Sequence, residues 1–227
     1  MNQKIRIAID GPSGSGKSTL AKKIAREMGL VYVDTGALYR AVGLYVKRAG
    51  VDPAAGLQVT AILPQIALQL RYTDAGQRVI LNGEDVSELI RTPEITVYAS
   101  TVSANPSVRK FLLEIQKKMA GEGNVIMDGR DIGTVIMPDA DVKLFLEASP
   151  EKRARRRYLE MVEKGENVTE EEVLAAVIQR DKADSSREVA PAVPADDAIF
   201  VDNSGLDAEQ TLVKAMEIIG EKLRRTR

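Results

Sequence analysis

Ile5-Arg6-Ile7-Ala8-Ile9-Asp10 runs directly into Gly11-Pro12-Ser13-Gly14-Ser15-Gly16-Lys17-Ser18, and the fold turns on this junction. The first run is short, apolar and rich in isoleucine, the composition of a buried strand. The second matches G-x-x-x-x-G-K-[ST]. From Lys17 to Met28, Leu20, Ile24, Ala25 and Met28 then recur at helical spacing. Strand, glycine-rich loop and helix in that order form a phosphate cradle, whereas an ordinary glycine-rich turn would not need such flanks. Glycines let backbone N–H groups turn inward, and the helix adds free N-terminal donors and the positive end of its dipole. Gly11–Ser18, with Thr19 next to it, is therefore the expected ATP-binding segment. Lys17 is placed to reach the β- and γ-phosphates, and the Ser18 hydroxyl to join the shell of a Mg²⁺ ion. A P-loop alone does not name a reaction, because kinases, GTPases and motor ATPases share it.

Outward from this junction the chain alternates. Gly29 ends the first helix, Leu30–Val33 reads as a second strand, and Thr35–Arg48 as a helix. Val125–Asp128, Val142–Leu146 and Ile199–Val201 are three more strands. Ser149-Pro150 and the Thr169/Glu172 capping box open two further helices, and Asp207–Arg225 reads as a closing helix. Five short apolar strands alternating with helices predict an α/β chain with a five-stranded parallel sheet covered on both faces. Residues 56–95 break the alternation. Ile66–Tyr72 and Arg78–Leu81 read as short strands, with turns at Thr73–Gln77 and Asn82-Gly83. The expected organisation is one kinase-sized domain, 1–227, with a small inserted lobe at 56–95 and a lid region at 150–187.

The 227 residues suit a single domain. Apolar residues are 44% of the chain and charged ones 29%, with a formal net charge of −1, so the basic excess of a dedicated nucleic-acid or membrane-surface binder is missing. There is no cysteine and no histidine, which removes disulfides, thiolate metal sites, imidazole ligands and the usual general base. A metal here has to be a hard cation held by oxygen, and Mg²⁺ fits best. No apolar run approaches the ~20 residues of a membrane span, and a cytoplasmic protein with no membrane partner is expected.

Three further stretches bear on the acceptor. Asp34-Thr35-Gly36-Ala37-Leu38-Tyr39-Arg40 follows the second strand and Asp128-Gly129-Arg130-Asp131 follows the third, both at the sheet edge where α/β proteins bind ligands. Asp128 closes its strand much as a Walker-B acid does. Residues 152–157 read Lys-Arg-Ala-Arg-Arg-Arg; Arg153 and Arg157 share a helix face while Arg155 points elsewhere. Arg180, Asp184 and Arg187 are spaced four and three, one face if the helix persists that far. Arginine suits phosphate because its fork offers two parallel donors and never titrates. A solvated helix face is the plain alternative for the 152–157 run, and structural ion pairs for Arg40 and Arg130. Transfer to a hydroxyl benefits from a base, but a phosphate acceptor is already anionic and needs charge cancellation instead. The composition leans toward a phosphate acceptor.

The runs IDGPSGSGKST, DTGALYR, DGRDIGTVIMPDADVKLFL and RDKADSSR, in this order, resemble bacterial cytidylate kinases of the long form, within the P-loop nucleoside monophosphate kinases. The resemblance spans about Lys4 to Leu223. It implies ATP-dependent phosphorylation of CMP and dCMP with Mg²⁺, by a cytoplasmic monomer without nucleic-acid partners. By position it implies that Ser100, Arg109 and Asp131 read cytosine and that Arg40 and Arg130 grip the acceptor phosphate. Arg180 and Asp184 would meet the sugar with Arg187 beside them, and Thr35, where some members have serine, would also line the CMP site. Lys17, Arg130, Arg153 and Arg157 would be catalytic, the last two on the lid. Two alternatives remain: a P-loop kinase of another small acceptor such as shikimate, and a regulatory ATPase without one. DTGALYR and the insert fit the first poorly, and no N/T-K-x-D guanine-reading motif supports a GTPase switch.

Overall fold

Nothing in Arg6–Asp10 (β1) past its first residue reaches solvent, because this strand is the centre of its sheet. The structure, a computed structural model, describes residues 4–73, 76–121 and 123–225. The chain divides into two units, one of residues 1–32 with 122–227 and one of Val33–Gly121. Strands β2 (Val31–Asp34), β6 (Val125–Asp128), β7 (Val142–Glu147) and β8 (Ile199–Asp202) complete a five-stranded parallel sheet in the order β2-β6-β1-β7-β8. In register, Ile7 faces Ile126 and Val142, and Ile9 faces Asp128 and Leu144. All five main-sheet strands lie where the apolar runs predict them, within two residues at each end.

In the first unit, helices α1 (Lys17–Met28) and α8 (Ala208–Arg225) bury Leu20, Ala21, Ile24, Ala215 and Ile219 against Ile7, Ile9, Ile126, Val142, Leu144 and Val201. Each large side chain buried in this way contributes roughly 1.5–3 kcal/mol. Helices α6 (Pro150–Glu163) and α7 (Glu170–Ser185) join through Ala154, Val173 and Val177, with Tyr158, Met161 and Leu174 around them. Ser149 caps α6 by accepting from Lys152 N–H, and the Thr169/Glu172 capping box closes in both directions.

The second unit holds α2 (Thr35–Arg48), α3 (Gly56–Ile62), α4 (Pro93–Val102) and α5 (Pro106–Gly121). Its three-stranded antiparallel sheet comprises β3 (Leu68–Thr73), β4 (Gly76–Leu81) and β5 (Glu84–Asp85). Leu38, Val42, Val79, Leu81, Val86, Ile90, Ile95 and Leu112 form its core. The small sheet lies inside the expected insert, and the flanking helices belong to the same compact unit. Asp74 and Ala75, in one expected turn, lie outside the described residues. Asn82, with φ +49°, and Gly83 make the other turn. Helix α3 was not legible in the sequence: it begins on glycine, carries Val59 and Thr60, and buries only Val59.

Candidate active site

Gly11 lies at φ +142°, and a Cβ there would stand 2.2 Å from the Leu146 carbonyl oxygen, so only glycine lets the loop leave β1 so close to β7. Within the loop, Ser15 Oγ donates to Pro12 O at 3.1 Å and Lys17 Nζ donates to the same oxygen at 2.6 Å. Ser18 Oγ donates to Asp128 Oδ2 at 2.8 Å, and Tyr32 OH to Asp128 Oδ1 at 2.8 Å. The last residue of β6 thus faces the first turn of α1 with an oxygen-only donor set.

Arg153 is buried in a different way from a solvated helix face. Its Nε donates to Ala148 O at 2.9 Å, and Nη1 reaches both Ser13 O at 3.0 Å and Asp181 Oδ1 at 3.1 Å. It bolts α6 and α7 to the P-loop. Arg155 does behave as a surface residue, pairing with Glu170 beside the Tyr158 ring. Asn203 and Arg156 were missed in the sequence: Asn203 Nδ2 donates to Ser15 O at 2.9 Å, and Arg156 Nη2 donates to Asn203 O at 2.9 Å. The only available signal was the position of Asn203 just past the last strand, where loops carry function.

Three arginines of the first unit that were expected at the acceptor converge on one carboxylate. Arg130 Nε donates to Asp184 Oδ2 at 2.9 Å, and Arg187 pairs with the other oxygen. Helix α7 ends at Ser185, so Arg187 lies beyond it and reaches back from the following turn instead of sharing its face. Burial alone would raise the Asp184 carboxyl, but Arg130, Arg187 and Arg180 outweigh it and hold the group below its usual range. Arg180 is pushed down to about 10 by burial and by Arg130, Arg157 and Arg187, against Asp184; its Nε is buried without a hydrogen-bond partner. Lys17 is likewise held well below its ordinary value by burial and by Arg130, against Asp128 and Asp10. Lys17 and Arg180 are thus both held down, first by burial and then by neighbouring arginines.

Asp10, also missed, closes β1 and is buried. Its carboxylate accepts from Ile132 N–H at 2.9 Å and Gly133 N–H at 2.7 Å, just after Asp131. Residues 132–136 form a single π turn, with Met137 N–H donating to Ile132 O at 2.7 Å, and Asp131 lies buried at its start. Such turns concentrate at functional sites. Burial pushes Asp10 up to about 6, its two backbone donors opposing the rise.

In the second unit Asp34 caps α2 by accepting from Ala37 N–H at 3.0 Å, and its other oxygen accepts from Arg40 Nη2 at 2.6 Å. Thr35 is buried at the first position of α2. Arg109 on α5 is buried with its guanidinium over the Tyr39 ring and donates to Ser103 O at 3.1 Å. Ser100 on α4 accepts from Ser103 Oγ at its carbonyl oxygen, at 2.7 Å.

The family model described as cytidylate kinase matches residues 7–221. The chain belongs to the cytidylate kinase family. The cytidylate kinase of Carboxydothermus hydrogenoformans is 47% identical over 218 residues, covering 96% of this chain and 98% of its own. That of Fervidobacterium nodosum is 49% identical over 219 residues, covering 96% and 98%. A shikimate kinase structure from Bacteroides thetaiotaomicron aligns with a TM-score of 0.51 at 14% identity, covering 96% of this chain and 99% of that one. That likeness shows the P-loop kinase fold alone. Membership makes this cytidylate kinase homologue a nucleoside monophosphate kinase, in keeping with a phosphate cradle and an arginine cluster in one unit. No described helix is long and apolar enough to cross a membrane.

Proposed function

We propose that this cytidylate kinase family member carries out the ATP-dependent phosphorylation of CMP, and of dCMP, by direct transfer between the P-loop and the arginine cluster. The observation that carries the mechanism is the set Lys17, Arg130, Arg157, Arg180 and Arg187, whose charges act on one another, with Asp184 between Arg130 and Arg187 and with Asp128 and Asp10 acting on Lys17. Such a set is costly until phosphates arrive. ATP lies along Gly11, Pro12, Ser13, Gly14, Ser15, Gly16, Lys17, Ser18 and Thr19, with Lys17 leaving the Pro12 carbonyl for the β- and γ-phosphates.

A phosphate oxygen of CMP attacks the γ-phosphorus, a new P–O bond forms, and the bond to the β,γ-bridging oxygen breaks to release ADP. The attacking oxygen is already anionic, so no proton has to move and the lack of histidine carries no penalty. The chain's task is to cancel repulsion and hold the oxygens in line. Arg40 and Arg130 grip the acceptor phosphate. Arg157, which has no hydrogen-bond or ion-pair partner among the described residues, covers the transferring group from the lid at 150–187. Arg153 keeps Ser13 in place and reaches the same group by exchanging Asp181 for a phosphate oxygen.

Mg²⁺ fits the donors present: the Ser18 hydroxyl stands beside the Asp128 carboxylate. When bound, Mg²⁺ supplies further neutralisation of the phosphate charge.

Cytosine presents an N4 donor beside N3 and O2 acceptors. Asp131 or Ser100 can accept from N4 while Arg109 donates to the acceptor edge; uracil reverses that sense. Arg180 and Asp184 meet the sugar with Arg187 beside them, and Thr35 lines the acceptor side. A coupled ADP assay with CMP, dCMP, UMP, AMP and GMP tests the reading. CMP and dCMP should stimulate ADP release far more than the others; preference for UMP or AMP would overturn the base assignment.

A further inference from the structure

We propose that Gln77, on strand β4 of the small antiparallel sheet, is a positioning residue for the acceptor phosphate, acting through Asp34 on Arg40. This rests on the reading of Arg40 as a phosphate-gripping arginine. Gln77 Oε1 accepts from the backbone N–H of Asp34 at 2.9 Å, and its Nε2 faces the Asp34 carbonyl at 3.4 Å. The side chain thus holds both backbone polar groups of the residue that caps α2. Asp34 in turn divides its carboxylate, one oxygen on Ala37 N–H and the other on Arg40 Nη2 at 2.6 Å.

Arg40 is set within a tight frame. A Cβ at Gly36 would stand 3.1 Å from Asp34 Oδ1 and 3.2 Å from Arg40 Nη1, so a side chain there would press on both groups. Arg40 Nε is buried without a hydrogen-bond partner. A buried, unmet donor on a guanidinium already held at its other edge is poised for a second anion. Among the described residues Gln77 hydrogen-bonds the Asp34 backbone and not the Arg40 guanidinium. It fixes the backbone from which the Asp34 carboxylate aims Arg40. The antiparallel sheet is therefore coupled to phosphate capture by one amide side chain.

The test is Gln77→Met in the full chain, which keeps the length and removes both hydrogen bonds, combined with Arg40→Ala in a double-mutant cycle. Kinetics with ATP and CMP and equilibrium binding of CMP by calorimetry are measured for all four proteins. Gln77→Met should lower kcat/KM for CMP by about tenfold or more, leave KM for ATP unchanged, and have no further effect once Arg40 is alanine. Unchanged CMP kinetics in Gln77→Met with Arg40→Ala impaired, or losses that simply multiply, would overturn the inference alone. Near-normal CMP kinetics in Arg40→Ala would overturn the reading of Arg40, and the inference with it. A merely structural role would lower the parameters for both nucleotides together.

Discussion

Arg130 and Asp184 meet at 2.9 Å across the loop after β6 and the last turn of α7, and Arg187 takes the carboxylate's other oxygen. One buried anion therefore restrains two arginines directly and a third, Arg180, through space. Breaking such a pair by removing one partner costs about 3–5 kcal/mol, because the remaining charges stay buried. Asp184→Asn should lower the thermal midpoint of the free enzyme markedly. Inorganic phosphate or CMP should recover much of that loss by supplying the missing anion. Differential scanning calorimetry with and without ligand checks both parts.

Arg130 loses its role in a different way. Replacement by alanine relieves the repulsion on Lys17 and Arg180 and leaves Arg187 on the Asp184 carboxylate, so it should destabilise the folded state less than Asp184→Asn does. Turnover should nonetheless fall by about 100-fold or more, with CMP affinity reduced, since one preorganised donor to developing charge is worth roughly that much. Steady-state kinetics beside thermal unfolding separate the two effects.

Asp131→Ala should act on selectivity. The kcat/KM ratio of CMP to UMP should drop by at least about tenfold, the scale of one hydrogen-bond readout, while KM for ATP stays unchanged. Competition between the two acceptors in one assay measures the ratio directly.

Asp10 predicts a pH dependence with a defined sign. Its folded value of about 6 stands above the ordinary 3.8, so between about pH 4 and 6 the folded chain binds more protons than the unfolded one. Its contribution to stability therefore decreases as pH rises through that window. The excess of wild-type over Asp10→Asn unfolding free energy should shrink by up to ~3 kcal/mol from pH 4 to 6.5. Urea unfolding of both proteins at several pH values gives the slope.

The sequence made the main sheet and the P-loop legible because apolar runs such as Arg6–Asp10 and the helical spacing of Leu20 and Ile24 are local signals. Ser149 and Thr169 were readable as caps for the same reason. The roles of Asp10, Asn203 and Gln77 were not readable. Each acts across a long separation, Asp10 on Ile132 and Gln77 on Asp34, and no local pattern encodes the partner. Arg153 was legible as a candidate but not its company, since spacing on α6 says nothing of Ser13 or Asp181. The arginines at 130, 180 and 187 were singled out by type and spacing; their convergence on Asp184 is a product of the fold.

On the proposed function, this site joins one phosphate to another. The most direct measurement compares product formation from ATP with CMP and with cytidine, followed by chromatography of both nucleotides. CDP and ADP should form in equal amounts with CMP, and only background ADP with cytidine. Phosphorylation of cytidine at a comparable rate, or ADP release independent of CMP, would contradict it.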